Sequence, residues 1–140
     1  SISTYTPVSF SPALYKSYGY GVSNEQNKKL ISFHGTPIFY DFSKNALVNK
    51  PAAHCSEVEL VSTTCGNIAM RISSGNYISL SNEGFVATVD NVHHSAKIVR
   101  IKDEDKYFIS SPNGQKFLGA TKQDFVIKTK LSEWEKFMIL

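Results

Sequence analysis

Cysteine is scarce in this chain: only Cys55 and Cys65 occur in 140 residues. The apolar run 58–61 between them reads as a strand. At about 3.3 Å per residue it holds the two Cα atoms well beyond the ~7 Å that a disulfide tolerates. Free thiols are therefore expected. With no Asn-x-Ser/Thr acceptor anywhere, they point to a reducing, cytoplasmic compartment, a secreted setting being the alternative. Long apolar runs are missing too. None approaches the ~20 residues that span a bilayer, and the N-terminus lacks the charged, apolar, small-residue order of a signal peptide, so no transmembrane segment is expected. No Lys/Arg run is longer than Lys28-Lys29. The net charge of +3 and a pI near 8.8 favour an acidic partner through long-range attraction. They fall short of the dense basic patches of nucleic-acid binders, and no zinc-finger spacing or aromatic RNA-binding signature occurs, so nucleic acid is set aside as a partner.

The usual routes to catalysis are absent as well. There is no phosphate-cradling glycine loop, no Gly-x-Ser-x-Gly elbow and no His-Glu-x-x-His helix. His54 beside Cys55 suggests a thiol nucleophile, but neighbours on an extended chain point to opposite faces. His93-His94 meets the same objection as a metal pair, with no Glu or Cys at ligand spacing, and reads as two solvated loop histidines. The expectation is a non-enzymatic binding module with no cofactor and no metal.

What the chain does have is a period. Gly35, Gly75 and Gly114 stand 40 and 39 residues apart, each between two apolar, β-like runs. The runs 30–33, 68–72 and 107–109 precede them, and 38–42, 77–80 and 117–120 follow. Each glycine reads as a hairpin turn, with Asn113-Gly114 the dipeptide that tolerates positive φ at both turn centres. A second echo comes at Leu47-Val48, Phe85-Val86 and Phe125-Val126, and a third at Val58, Ile98 and Phe137. Each unit thus reads as four short strands. One such unit cannot bury its own apolar face, and solenoids or propellers need more copies or caps. Closure of three units about one axis predicts an all-β fold, a β-trefoil of three four-stranded repeats over about 28–62, 66–101 and 105–140, in one domain spanning 28–140.

Residues 1–27 fall outside the period. Tyr5, Phe10, Tyr15, Tyr18 and Tyr20 make this N-terminal extension too aromatic for a disordered linker, so it is expected to pack on or flank the domain, a partner-docking arm being the alternative. Residues 12–18 carry the best 3.6-residue pattern in the chain and are too short for an independent helix. In 125–131, alternation places Phe125, Ile127, Thr129 and Leu131 on one side of a strand and Lys128 and Lys130 on the other, facing water. Trp134, in Ser132-Glu133-Trp134, lacks the Gln-x-Trp of sugar-binding trefoils and is expected to pack at the barrel base beside Phe137.

The third unit carries a likeness. Asn113-Gly114-Gln115-Lys116-Phe117-Leu118-Gly119-Ala120 and Trp134-Glu135-Lys136-Phe137-Met138-Ile139 resemble the fascin and hisactophilin type of β-trefoil repeat. Gly75-Asn76-Tyr77-Ile78-Ser79-Leu80 and Lys97-Ile98-Val99 match less fully, and the first unit only through spacing. The resemblance implies a cytoskeletal module whose protein partner is actin, and Lys122, Lys128, Lys130 and Lys136 are the ligand-binding candidates against an acidic filament. With four histidines and an opening Ser1-Ile2, the chain lacks the histidine crowding and the N-terminal glycine of hisactophilin. The alternatives are a secreted or surface-displayed carbohydrate-binding trefoil (lectin, toxin or adhesin) and a trefoil protease inhibitor presenting loop 49–55 or 90–95. The oligomeric state is left open by the sequence.

Overall fold

The computed structural model describes residues 23–24, 28–64, 66–81 and 86–140. The first unit holds β1 (Ser23–Asn24), β2 (Leu30–Ile31), β3 (Phe39–Asp41), β4 (Ala46–Val48), β5 (Cys55–Glu57) and β6 (Glu59–Ser62). The second holds β7 (Ile68–Arg71), β8 (Tyr77–Leu80), β9 (Val86–Val89) and β10 (Lys97–Arg100). The third holds β11 (Tyr107–Ser110), β12 (Phe117–Ala120), β13 (Phe125–Lys128) and β14 (Met138–Ile139). Short 3-10 turns at Val92–His94 and Glu133–Glu135 lead into β10 and β14.

One pairing rule generates the architecture. The closing strand of each unit pairs antiparallel with the opening strand of the next: β6 with β7, β10 with β11, and β14 back with β2. The two middle strands of each unit form a hairpin beside this ring, β3 with β4, β8 with β9 and β12 with β13. This is the β-trefoil that the 40- and 39-residue steps predict. Its necessity is visible in the core, where Leu30, Leu60, Met70, Ile78, Ile98, Ile109, Leu118 and Phe137 pack in one cluster drawn from all three units. No unit owns enough apolar surface to fold alone.

The three repeat glycines occupy one turn geometry. Gly35, Gly75 and Gly114 donate their amides to Ser32, Ile72 and Ser111 carbonyls, each at 2.9 Å, and sit at φ of +82°, +92° and +77°. The left-handed backbone explains why glycine recurs at these positions. The expected two-residue turn at Asn113-Gly114 is not what forms. Asn113 is not left-handed, and a four-residue turn opens with Ser111-Pro112. Proline suits the second position of such a turn, and Asn113 Oδ1 fastens it by accepting from Ser111 Oγ (2.6 Å) and Gln115 N (3.0 Å).

The first unit departs from the four-strand pattern. β5 adds a third strand to its hairpin by pairing with β3, and β1 pairs with β6 through Ser23 opposite Ser62 and Asn24 opposite Val61. Val58 falls between β5 and β6 and only lines the core, and Leu60 takes the fully buried place. Cys55 carries a free thiol. Cys65, Phe85 and all of the N-terminal extension except Ser23 and Asn24 lie outside the described residues. In β13 the alternation holds for Phe125 and Ile127, which pack on the core, and for exposed Lys128. The strand ends there, so Leu131 is 46% exposed rather than turned to the core. No helix among the described residues is long and apolar enough to cross a membrane.

Candidate binding surface

Two turns from different units meet at one exposed aromatic shelf. The first is turn 32–35, held by buried Ser32, whose Oγ accepts from the amides of His34 and Thr36, both at 3.2 Å, and pairs with Thr36 Oγ1 at 2.7 Å. It presents Phe33 and His34. The second is the 3-10 turn Glu133–Glu135, which presents Trp134. The His34 ring lies 5.2 Å from the Trp134 ring at 72° and 5.3 Å from Phe33 at 83°, both edge-to-face. His34 Nε2 lies 3.0 Å from the Ala120 carbonyl oxygen at the end of β12. Because a carbonyl only accepts, Nε2 is the protonated nitrogen and the ring is pinned in place.

Trp134 is 44% exposed and Phe33 41%. The expectation that Trp134 packs at the barrel base beside Phe137 is therefore corrected. Phe137 alone enters the core, fully buried, and the 3-10 turn directs Trp134 outward. That turn is locked from below. Glu135 is 1% exposed, and its Oε1 accepts from Ser132 N at 2.8 Å and Ser132 Oγ at 2.7 Å. Ser132-x-x-Glu135 is a capping box, a sequence signal that could have located this turn and that the reading of Ser132-Glu133-Trp134 passed over. Oε2 finds no partner among the described residues. It lies where a Cβ on Gly119 would come within 2.6 Å, so β12 carries glycine there because the carboxylate fills the space. Neither Gly119 nor the pairing of His34 with Trp134 has a sequence signal, since both arise from long-range contact.

The four lysine candidates do not form one site. Lys122 sits exposed in the loop after β12, its carbonyl accepting from Asn49 Nδ2 at 3.1 Å. Lys128 pairs in register with Phe117, at the far end of the β12–β13 hairpin from that loop, and Lys130 follows, also exposed. Four residue pairs of hairpin separate Lys122 from Lys128, about 10 Å along the strand. Lys136 is engaged elsewhere. Its ammonium meets Glu104 at 3.1 Å and Glu133 at 3.2 Å, and these carboxylates, Glu104 first, hold its pKa above the ordinary lysine value. Among the described residues no three His, Cys, Asp or Glu side chains group to hold a metal. In loop 49–55, Cys55 N and the His54 carbonyl are tied to Ala52 and Phe42. In 90–95, Asn91 Oδ1 caps the 3-10 turn by accepting from His93 N.

No family model matches the chain, and no characterised protein matches it by sequence. Solved structures do match it in shape. SeviL bound to asialo-GM1 saccharide superposes with a TM-score of 0.53 at 16% identity, over 86% of this chain and 94% of that one. The designed 3-fold symmetric protein ThreeFoil gives 0.57 at 14% identity, over 81% of this chain and 96% of its own. Neither is a fascin or a hisactophilin, so the resemblance stands for the fold and gains no support for the family. By its own topology and by these likenesses, the chain is a β-trefoil.

Proposed function

We propose that the protein is a carbohydrate-binding module and that the Trp134–His34–Phe33 shelf is its contact surface. The observation that carries this reading is the exposure of the chain's one tryptophan on a pinned histidine. A pyranose has an apolar C–H face and a hydroxyl edge. An aromatic ring that is open on one side and fixed on the other matches the first, and turn carbonyls and hydroxyls beside it match the second. Holding Trp134 in place before binding reduces the ordering cost that a mobile side chain incurs. The likeness to SeviL, whose structure contains a saccharide, supports the reading at the level of fold. No non-enzymatic alternative has comparable support, and the actin reading has none from the structural neighbours.

A glycan array with wild type and Trp134→Ala tests it. Binding to a defined subset of neutral oligosaccharides, competed by free sugar and lost in the variant, is expected. An array silent for wild type, or signals unchanged by the substitution, would reject the shelf. One observation keeps the filament reading in view: Lys122, Lys128 and Lys130 are all exposed on the third unit. Salt-sensitive cosedimentation with actin filaments would revive it, because attraction between exposed charges is screened at high ionic strength.

A further inference from the structure

The second and third units each leave an opening between two turns, and the two openings differ in one decisive way. In the third unit the opening lies between the 3-10 turn Glu133–Glu135 and the loop joining β10 to β11. Lys136 spans it, meeting Glu104 of the loop and Glu133 of the 3-10 turn. A lysine there is matched by two carboxylates of the protein's own.

In the second unit the opening lies between the 3-10 turn Val92–His94 and the loop joining β6 to β7. The 3-10 turn repeats that of the third unit, and both loops open on the same three-residue bond. Gly66 N donates to Thr63 O at 3.1 Å as Glu104 N does to Ile101 O at 3.1 Å, and Ser95 N donates to Val92 O as Lys136 N does to Glu133 O. By the 3-10 turn bonds Val92 stands where Glu133 stands, while the loop closes one residue shorter, Thr63 N on Asn67 O against Ile101 N on Lys106 O, and residues 63–67 include no acid to play the part of Glu104. Both acids are gone. A lysine remains, moved two residues along to Lys97 at the start of β10, and it has no acidic partner among the described residues.

What results is a cleft of about 110 Å³ walled by Thr63, Asn67, His93, Ser95 and Lys97 over apolar Val92 and Ala69. Its polar groups are rich in donors: the Lys97 ammonium, the Asn67 carboxamide and the Thr63 hydroxyl, whose buried Oγ1 has no partner among the described residues. An ammonium on a half-buried residue, beside the unpartnered Thr63 hydroxyl, matches an anion with further acceptor oxygens. The volume is well under the roughly 300 Å³ of pockets that enclose a drug-sized molecule, so the cleft admits a head group rather than a whole ligand.

We propose that this cleft binds a small carboxylate that carries neighbouring hydroxyls, the acidic terminus of a sugar acid or hydroxy acid, which takes the place of the two glutamates that close the third unit. The site is separate from the Trp134 shelf and does not depend on what that shelf binds.

Amide NMR of the whole chain titrated with D-glucuronate tests this, with glucose, acetate and inorganic phosphate as comparisons. Glucuronate is expected to shift the amides of Gly66, Asn67, His93 and Ser95 saturably in the millimolar range, to leave the Trp134 indole unmoved, and to bind several-fold more tightly than acetate. Glucose, which lacks the acid, should leave these amides in place. Lys97→Met keeps the apolar stem and should weaken glucuronate at least tenfold; Thr63→Val should weaken it several-fold in a chain whose fold the substitution hardly touches. No saturable shift at these amides, equal binding by Lys97→Met or by Thr63→Val, or phosphate binding more tightly than glucuronate would overturn the proposal.

Discussion

The second and third units make the same 3-10 turn through the same hydrogen bonds and present different surfaces. Before its closing strand each unit makes a 3-10 turn, Val92–His94 or Glu133–Glu135. The middle residue is His93 in one and Trp134 in the other. Behind the turn, Ser79 Oγ donates to the His94 carbonyl at 2.7 Å in the second unit, whereas in the third Gly119 makes room for the Glu135 carboxylate. Ala96 follows the turn in one and Phe137 in the other, both fully buried. The difference teaches that the trefoil constrains hydrogen bonds and total core volume, leaving the turn side chains free to diverge into an aromatic shelf on one unit and a donor-lined cleft on another.

The strongest way to break the comparison is to give the third unit the second unit's small core residue. Phe137→Ala is expected to cost about 3–5 kcal/mol, because the neighbours that close around Ala96 in the second unit cannot refill a phenyl-sized cavity in the third. Urea unfolding measures it; a loss below about 1 kcal/mol would mean that the units are interchangeable. Next comes Gly119→Ala. With Glu135 Oε2 at 2.6 Å from the new methyl, one of them must move, and about 1–3 kcal/mol of destabilisation is expected. The double variant Gly119→Ala/Glu135→Ala should recover part of that loss, a coupling that a thermodynamic cycle isolates. Additive costs would show that the two positions do not compete for space.

The smallest effect concerns Lys136. Its pKa is raised in the fold, chiefly by Glu104 and then by Glu133. A raised pKa means that the stabilising contribution is complete below lysine's ordinary value of about 10.4 and disappears as pH climbs through the higher folded value. Lys136→Met should therefore lower stability slightly at neutral pH, less at high salt, and not at all above that alkaline window. A stability difference that persists unchanged at high salt and at strongly alkaline pH would assign the effect to packing of the stem.

The ring of three units was legible because its causes are local and repeated. Glycine recurs at the left-handed turn positions 35, 75 and 114, and Ile98 lies in its closing strand as the period predicts, whereas Phe137 falls one residue before β14 and its counterpart is Ala96. The first unit was harder to read, since β5 and β1 add strands with no counterpart among the described residues of the other units, and Val58 lies at the margin of the core. The binding surfaces were harder still. Ser132-x-x-Glu135 can be read as a capping box, but nothing local tells that His34 lies against Trp134, 100 residues away in sequence. Nor does anything local tell that Thr63 and Lys97 wall one cleft. Lys136 looked like a surface cation because its partner Glu104 is 32 residues distant.

Trp134 is the chain's one tryptophan, so its fluorescence reports on the proposed shelf and on nothing else. Titrating the protein with the asialo-GM1 saccharide and with simpler neutral oligosaccharides should shift or quench that emission saturably for at least one of them, equally in wild type and in Lys97→Met. An emission spectrum unmoved by every saccharide that the protein retains on an array would contradict the assignment of the shelf as the contact surface.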